Sequence, residues 1–198
     1  MIRIYGVKQS RASRCLWLLE EMGTPYELVP VNTTGENKTD TYLAINPAGK
    51  VPALTSDGFA MSESHAINLW LAQQSGGKFW PSAAETQGRI LQWTVWTGTE
   101  LEPITNAILR TKRQPPPDIG ARLADLVAQA REKIGLVELR LETSPYLAGP
   151  EFTLADLSVG SSLVFAPFFG IPLDDFPRVS AWISKLKGRA AYQKVFGG

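Results

Sequence analysis

What this sequence lacks narrows its chemistry before any motif is read. It holds one cysteine, Cys15, so no internal disulfide framework can form and a reducing compartment is implied. It holds one histidine, His65, too few for a multi-histidine metal site, and no Cys/His cluster stands beside it, so no metal is expected. A serine hydrolase triad would have to use His65, yet no G-x-S-x-G turn occurs, and an ordinary helical histidine is the expectation. No stretch approaches the ~20 apolar residues of a membrane span. The opening Met1-Ile2-Arg3-Ile4-Tyr5-Gly6 is too short an apolar run for a secretory signal. Charge of one sign is missing too: 20 basic and 19 acidic side chains leave +1, and residues 1–80 carry seven of each. That balance offers no handle to nucleic acid or an anionic membrane. A cytoplasmic globular protein is expected, one that borrows its reactive group from a bound molecule.

What is present is a chain that changes period. Ile2 and Ile4 alternate with Arg3 and Tyr5, a short strand. Cys15, Leu18, Leu19 and Met22 then fall at i, i+3, i+4 and i+7, one apolar stripe on a helix. Glu20 and Glu21 are expected on that helix's solvent side, and Gly23 is expected to end it in the left-handed conformation. Tyr26 to Val31 reads as a second strand, parallel to the first because a helix connects them. Val51 to Thr55 and Phe59 to Met61 are short strands around Ser56-Asp57-Gly58, and Asp-Gly is a strong hairpin signal. Ile67, Trp70 and Leu71 mark a helix ending at Gly76-Gly77. The order β-α-β, loop, β-β-α matches a thioredoxin-like arrangement, a mixed four-stranded sheet flanked by helices, over residues 1–77.

Lys78 to Glu85 reads as a linker, and only helices are expected beyond it, an all-helical C-terminal domain over residues 86–198. Residues 86–113 form the first, stopped by Pro115-Pro116-Pro117, and residues 118–142 the second. Thr153-Leu154-Ala155-Asp156 is a capping signature that starts a nearly all-apolar helix running toward Phe165. Val179, Trp182, Ile183 and Leu186 belong to the last.

Three segments carry more than fold. They are Ser10 to Glu21, Asn46-Pro47-Ala48-Gly49-Lys50-Val51-Pro52-Ala53-Leu54, and Met61-Ser62-Glu63-Ser64-His65-Ala66-Ile67. In this order, and followed by an all-helical half, they resemble the cytosolic glutathione S-transferase superfamily, serine type, across essentially the whole chain. The resemblance implies a cis proline at Pro52 that presents the main chain of Val51 to the cysteinyl part of glutathione. It implies Glu63 and Ser64 as partners of the γ-glutamyl moiety, and Lys50, Asn37 and Lys38 as partners of the glycyl end. As bare residues, Glu63 and Ser64 read as ordinary capping of a helix start, and Lys50, Asn37 and Lys38 as solvated surface.

The implied chemistry needs one hydroxyl. Lowering a thiol from ~8.5 by about two units takes roughly 2.7 kcal/mol. A hydrogen bond to a charged group supplies ~1.5–3 kcal/mol, and a helix N-terminus adds ~0.3–1. Ser10, four residues before Arg14, is the expected donor, with Ser13 and then Tyr5 as alternatives. Each also has a plain structural reading: N-cap, helix surface, sheet packing. Cys15 on the apolar stripe reads as a buried, inert thiol. Arg11 and Arg14 either favour a nearby thiolate or are solvated. A small hydrophobic electrophile is the expected second substrate, in a pocket between the domains with Arg11, Trp96, Thr97 and Glu100 as wall candidates. Glutathione is then a co-substrate, no cofactor is called for, and a homodimer serving detoxification is the implied assembly and role. A non-catalytic ligand carrier on the same fold stays open, as do glutathione-dependent isomerisation and dehalogenation.

Overall fold

The structure, a computed structural model, describes residues 1–197. In chain order the first elements are β1 (Ile2–Tyr5), α1 (Ala12–Met22), β2 (Tyr26–Val29), a 3-10 turn (Glu36–Lys38), α2 (Asp40–Leu43), β3 (Ala53–Ser56), β4 (Phe59–Ser62) and α3 (Ser64–Gln73). Then come α4 (Ala84–Trp96), a π-helical stretch (Thr97–Leu101), α5 (Glu102–Arg113), α6 (Ile119–Glu142), α7 (Leu154–Leu163), α8 (Ala166–Phe169), α9 (Pro177–Lys187) and α10 (Ala190–Phe196). The chain divides into two compact units, Met1–Trp80 with Gly188–Gly198, and Pro81–Lys187.

The first unit is built on a sheet ordered β2-β1-β3-β4, with β1 parallel to β2 and the other pairs antiparallel. This is the mixed thioredoxin-like sheet that the sequence implies. Asp57 and Gly58 take positive φ, 48° and 85°, so Ser56 pairs directly with Phe59 across the turn. Gly23 ends α1 at φ 65°, where its N–H returns to Glu20 O and that of Thr24 to Leu19 O.

Helix α1 departs from the amphipathic expectation. Every residue from Ala12 to Leu19 is buried, not one stripe of them. The reason lies at the other end of the chain, where α10 lays Tyr192 and Phe196 edge-on against Trp17 at 5.3 and 6.0 Å. Glu20 and Glu21, expected in solvent, are instead 12% and 6% exposed and pair with Lys194 and Arg189, the latter bidentately at 2.5 and 2.7 Å. Residues 188–197 therefore belong with the sheet unit, whereas the sequence assigns them to the helical part.

The second unit is all helix. Residues 84–113 run as one rod interrupted by the π-helical stretch, where Glu102 N–H reaches Thr97 O. Pro103 accounts for the interruption: it has no N–H to donate and its ring crowds the carbonyl four residues back. At the centre stands α7, buried along its whole length. Asp156 closes its capping box, accepting from Thr153 N at 3.0 Å, Thr153 Oγ1 at 3.3 Å, Leu147 N at 2.9 Å and Trp182 Nε1 at 3.1 Å. Complete burial still pushes its carboxyl up to about 6, against the pull of these donors. Among the described residues no helix is long and apolar enough to cross a membrane, and no cluster of three His, Cys, Asp or Glu could hold a metal ion.

Candidate functional site

Three connections of the first unit meet at one cleft of about 80 Å³, lined by Arg11, Asn46, Lys50, Val51, Pro52, Ser62, Glu63 and Ser64. The β1–α1 turn forms one side. Gly6 makes it possible: at φ 145° a Cβ there would lie 2.8 Å from Ala12 Cβ, 3.2 Å from Ser10 Oγ and 3.4 Å from Val51 Cβ. Ser10 Oγ and Val51 therefore flank the same glycine. The Ser10 hydroxyl donates to Val7 O at 2.7 Å and accepts from Ala12 N at 3.2 Å, which satisfies one N–H at the start of α1. Ser13 is 7% exposed and donates to Ser10 O at 2.8 Å, so it faces inward rather than lying on the helix surface. Tyr5 OH sits 3.3 Å from Thr55 Oγ1, a cross-strand contact on the sheet.

The loop before β3 supplies the second side. Asn46 Nδ2 and Tyr42 OH both donate to Lys50 O, at 2.7 and 2.6 Å, and fix the main chain just before Val51. The Val51–Pro52 peptide is cis. Val51 precedes the ladder, whose register begins at Ala53, so its main chain is not paired within the sheet. Lys50 is exposed at the rim. Asn37, expected on the surface, is turned inward: it is 6% exposed and its Nδ2 donates to Gly49 O at 2.7 Å, holding the Gly49 turn. Lys38 is exposed and lies over the same turn, 2.6 Å from where a Gly49 Cβ would stand.

The third side is the start of α3, and it is strained. Glu63 is exposed and takes φ 71°, ψ 110°, a region that a side-chain-bearing residue occupies at a cost of about 1–3 kcal/mol. No side chain caps the helix. Ser64 follows at 4% exposure, and its hydroxyl oxygen accepts from Arg14 Nη1 at 3.3 Å. Arg14 itself is 8% exposed, so the solvated reading of this residue does not hold. It brings a positive charge beneath the helix N-terminus, where the helix dipole already favours an anion. Cys15 is fully buried and donates to Ser64 O at 3.9 Å; burial pushes its thiol up to about 12, which keeps it protonated and inert.

The wall candidates of the helical unit separate. Thr97 is fully buried and donates to Trp93 O at 2.7 Å, so it presents nothing to a ligand. Trp96 packs edge-on against Trp93 at 5.1 Å, and Glu100 pairs with Lys133 at 2.6 Å. Both line an open hollow of about 600 Å³ with Leu91, Val95, Thr99 and Leu136. Leu91, Val95 and Leu136 are 43%, 57% and 48% exposed, an apolar face on α4 and α6.

Known proteins share this organisation. Residues 10–74 match the family model described as glutathione S-transferase, N-terminal domain, and residues 104–190 the one described as glutathione S-transferase, C-terminal domain. Glutathione S-transferase 1 of Zea mays is 34% identical over 206 residues, spanning 98% of this chain and 95% of the plant protein. Glutathione transferase F7 from Populus trichocarpa superposes with a TM-score of 0.88 at 28% identity, over 98% of this chain and 97% of its own. The theta class glutathione S-transferase from Xanthomonas axonopodis pv. citri, solved with glutathione bound, superposes with a TM-score of 0.87 at 30% identity, over 98% and 95% of the two chains.

Proposed function

The chain belongs to the glutathione S-transferase family, and from that membership we propose how this glutathione transferase holds and activates its thiol substrate. Glutathione lies in the cleft of the first unit. Its γ-glutamyl carboxylate meets the N-terminus of α3 and the Ser64 hydroxyl. Because Arg14 donates to the Ser64 oxygen, the hydroxyl hydrogen is left for the ligand. The Glu63 carboxylate takes the α-amino group. The Val51 main chain pairs with the cysteinyl residue in antiparallel fashion, and Lys50 and Lys38 draw the glycyl carboxylate while Asn37 holds the turn between them.

That arrangement directs the sulfur toward Ser10. The Ser10 hydroxyl donates to Val7 O. Turning it to a thiolate exchanges a neutral hydrogen bond, ~0.5–1.5 kcal/mol net, for a charge-assisted one of ~1.5–3. Ala12 N–H remains on the oxygen and polarises the hydroxyl, which makes it a better donor. The thiolate then attacks an electrophilic carbon: sulfur supplies the pair for the new C–S bond, the leaving group departs with its own, and the thiol proton passes to solvent. Ser10 Oγ flanks Gly6 together with Val51 at the cleft, which favours it over Ser13 and Tyr5.

The observation carrying this reading is the strained, uncapped start of α3 opening on the cleft beside Val51. Calorimetric titration with glutathione tests it. Glu63→Ala and Ser64→Ala each weaken binding by ~1.5–3 kcal/mol; unchanged affinity in both removes them from the site.

We also propose a two-fold homodimer, acting in the cytoplasm in detoxification. Phe59 on β4 is 46% exposed and packs on Trp70 at 5.6 Å, an apolar surface on the first unit; Leu91, Val95 and Leu136 form another on the second. A second copy offers a complementary apolar patch to both. Such a copy would cover Trp96 and Glu100, which takes them out of the electrophile wall. Sedimentation as a monomer at micromolar concentration excludes this assembly.

A further inference from the structure

The main chain just before Val51 is held from inside the protein by three buried side chains. Asn37 Nδ2 donates to Gly49 O at 2.7 Å, while Asn46 Nδ2 and Tyr42 OH donate to Lys50 O at 2.7 and 2.6 Å. Both lone pairs of the Lys50 carbonyl are thereby used. Tyr42 alone among the three belongs to the apolar core. Its ring packs with Val31 and Ala53, and Tyr5, Ile45 and Val51 lie against the same cluster. Thr39 caps α2 and accepts from Tyr42 N at 3.4 Å, which steadies the backbone that carries the ring. Burial pushes the pKa of the Tyr42 hydroxyl above its ordinary value, so the group stays a donor.

Lys50 C=O and Val51 N–H belong to one planar trans peptide unit, in which the two bonds point in opposite directions. Drawing the oxygen inward to Tyr42 and Asn46 therefore turns the Val51 N–H outward. Val51 lines the cleft, and among the described residues none accepts from its N–H. The hydroxyl of a core tyrosine thus sets the direction of a main-chain donor at the cleft.

On the reading that Val51 pairs with the cysteinyl residue of glutathione, we infer that Tyr42 is a positioning residue. Its hydroxyl acts through the Lys50–Val51 peptide and aims the Val51 N–H at the cysteinyl carbonyl. The side chain itself touches no substrate. A phenylalanine in its place keeps the ring and leaves Asn46 on the Lys50 oxygen, so no carbonyl is orphaned. What is lost is the second tether on the peptide plane. The cost falls on binding, not on folding or on thiol activation.

Calorimetric titration of the wild type and Tyr42→Phe with three thiols tests this. Glutathione and γ-glutamylcysteinamide both carry the cysteinyl carbonyl, whereas γ-glutamylcysteamine lacks it. Tyr42→Phe weakens the first two by a similar factor, about threefold to tenfold, the scale of one neutral hydrogen bond. It leaves the affinity for γ-glutamylcysteamine and the bound thiol pKa unchanged, and moves the urea midpoint little. Equal weakening of all three thiols, or of none, overturns the inference and leaves the transferase reading intact. So does weakening of glutathione alone, which would route the effect through the Lys50 side chain and the glycyl end. A large fall in the urea midpoint makes the bond a structural one and overturns the inference as well. Failure of the wild type to bind glutathione overturns the site reading and this inference with it.

Discussion

Two helix starts in this molecule meet the same requirement in opposite ways. At α7 the first turn lies in the middle of the helical unit, and Thr153 and Asp156 satisfy each other's main chain while Asp156 also takes Leu147 N and Trp182 Nε1. At α3 no side chain caps the helix, the residue before it is held at φ 71°, and Ser64 is backed by a buried arginine. A helix start must find acceptors for its N–H groups somewhere. Where the protein supplies them, as at α7, the result is stability. Where it leaves them at a cleft, as at α3, an acceptor can come from outside the chain.

Substitutions at the two starts should separate stability from binding. The largest effect is at α7: Asp156→Ala orphans Leu147 N, Thr153 N and Trp182 Nε1 in a buried interior and lowers unfolding free energy by about 3–5 kcal/mol in urea titration. A loss below about 1 kcal/mol would mean that water replaces the carboxylate there. At α3 the sign reverses. Glu63→Gly relieves the positive φ and raises stability by about 0.5–1 kcal/mol, while glutathione affinity falls about tenfold or more. Stability and affinity falling together would show that Glu63 is an ordinary structural residue.

The smallest effect is a pH slope. Asp156 titrates near 6 in the folded protein against 3.8 when exposed, so between about pH 4 and pH 6 the folded state holds a proton that the unfolded chain has released. This group's contribution therefore favours folding below about pH 4 and declines as pH rises through the folded value. Asp156→Asn removes that part of the slope, read as the difference in urea midpoint between variant and wild type across the window.

Much of this contrast was legible before any coordinates. Thr153 and Asp156 stand at capping-box spacing, and Glu63-Ser64 sits where an apolar period of 3.6 begins after a hairpin; such patterns are local and sequence shows them. The period-2 strands and the Asp57-Gly58 turn were legible for the same reason. What escaped depends on distant partners. Glu20 and Glu21 looked solvent-facing because nothing near them in sequence announces that α10, a seven-residue helix too short to show a period, will return to cover them. Arg14 was open to either a thiolate-facing or a solvated reading because its partner Ser64 lies 50 residues away. Asn37 looked like a surface residue because an isolated asparagine in a loop has no pattern to say which way it turns. The positive φ of Glu63 left no trace either, since the residue that best tolerates that conformation is glycine and the chain has glutamate there.

We propose that the Ser10 hydroxyl holds the glutathione thiolate. Thiolate absorbance of the glutathione complex, followed against pH, measures it directly. Ser10→Ala should raise the bound thiol pKa by about one to two units, since ~1.5–3 kcal/mol of stabilisation is removed. Turnover near neutral pH should fall roughly ten- to hundredfold with glutathione affinity little changed, the pattern of lost activation rather than lost binding. Ser13→Ala and Tyr5→Phe should leave the titration where it is. A Ser10→Ala complex that titrates like the wild type contradicts the account: if either of the other two variants shifts the thiol, the role moves to that residue, and if none does, no hydroxyl activates the thiol here.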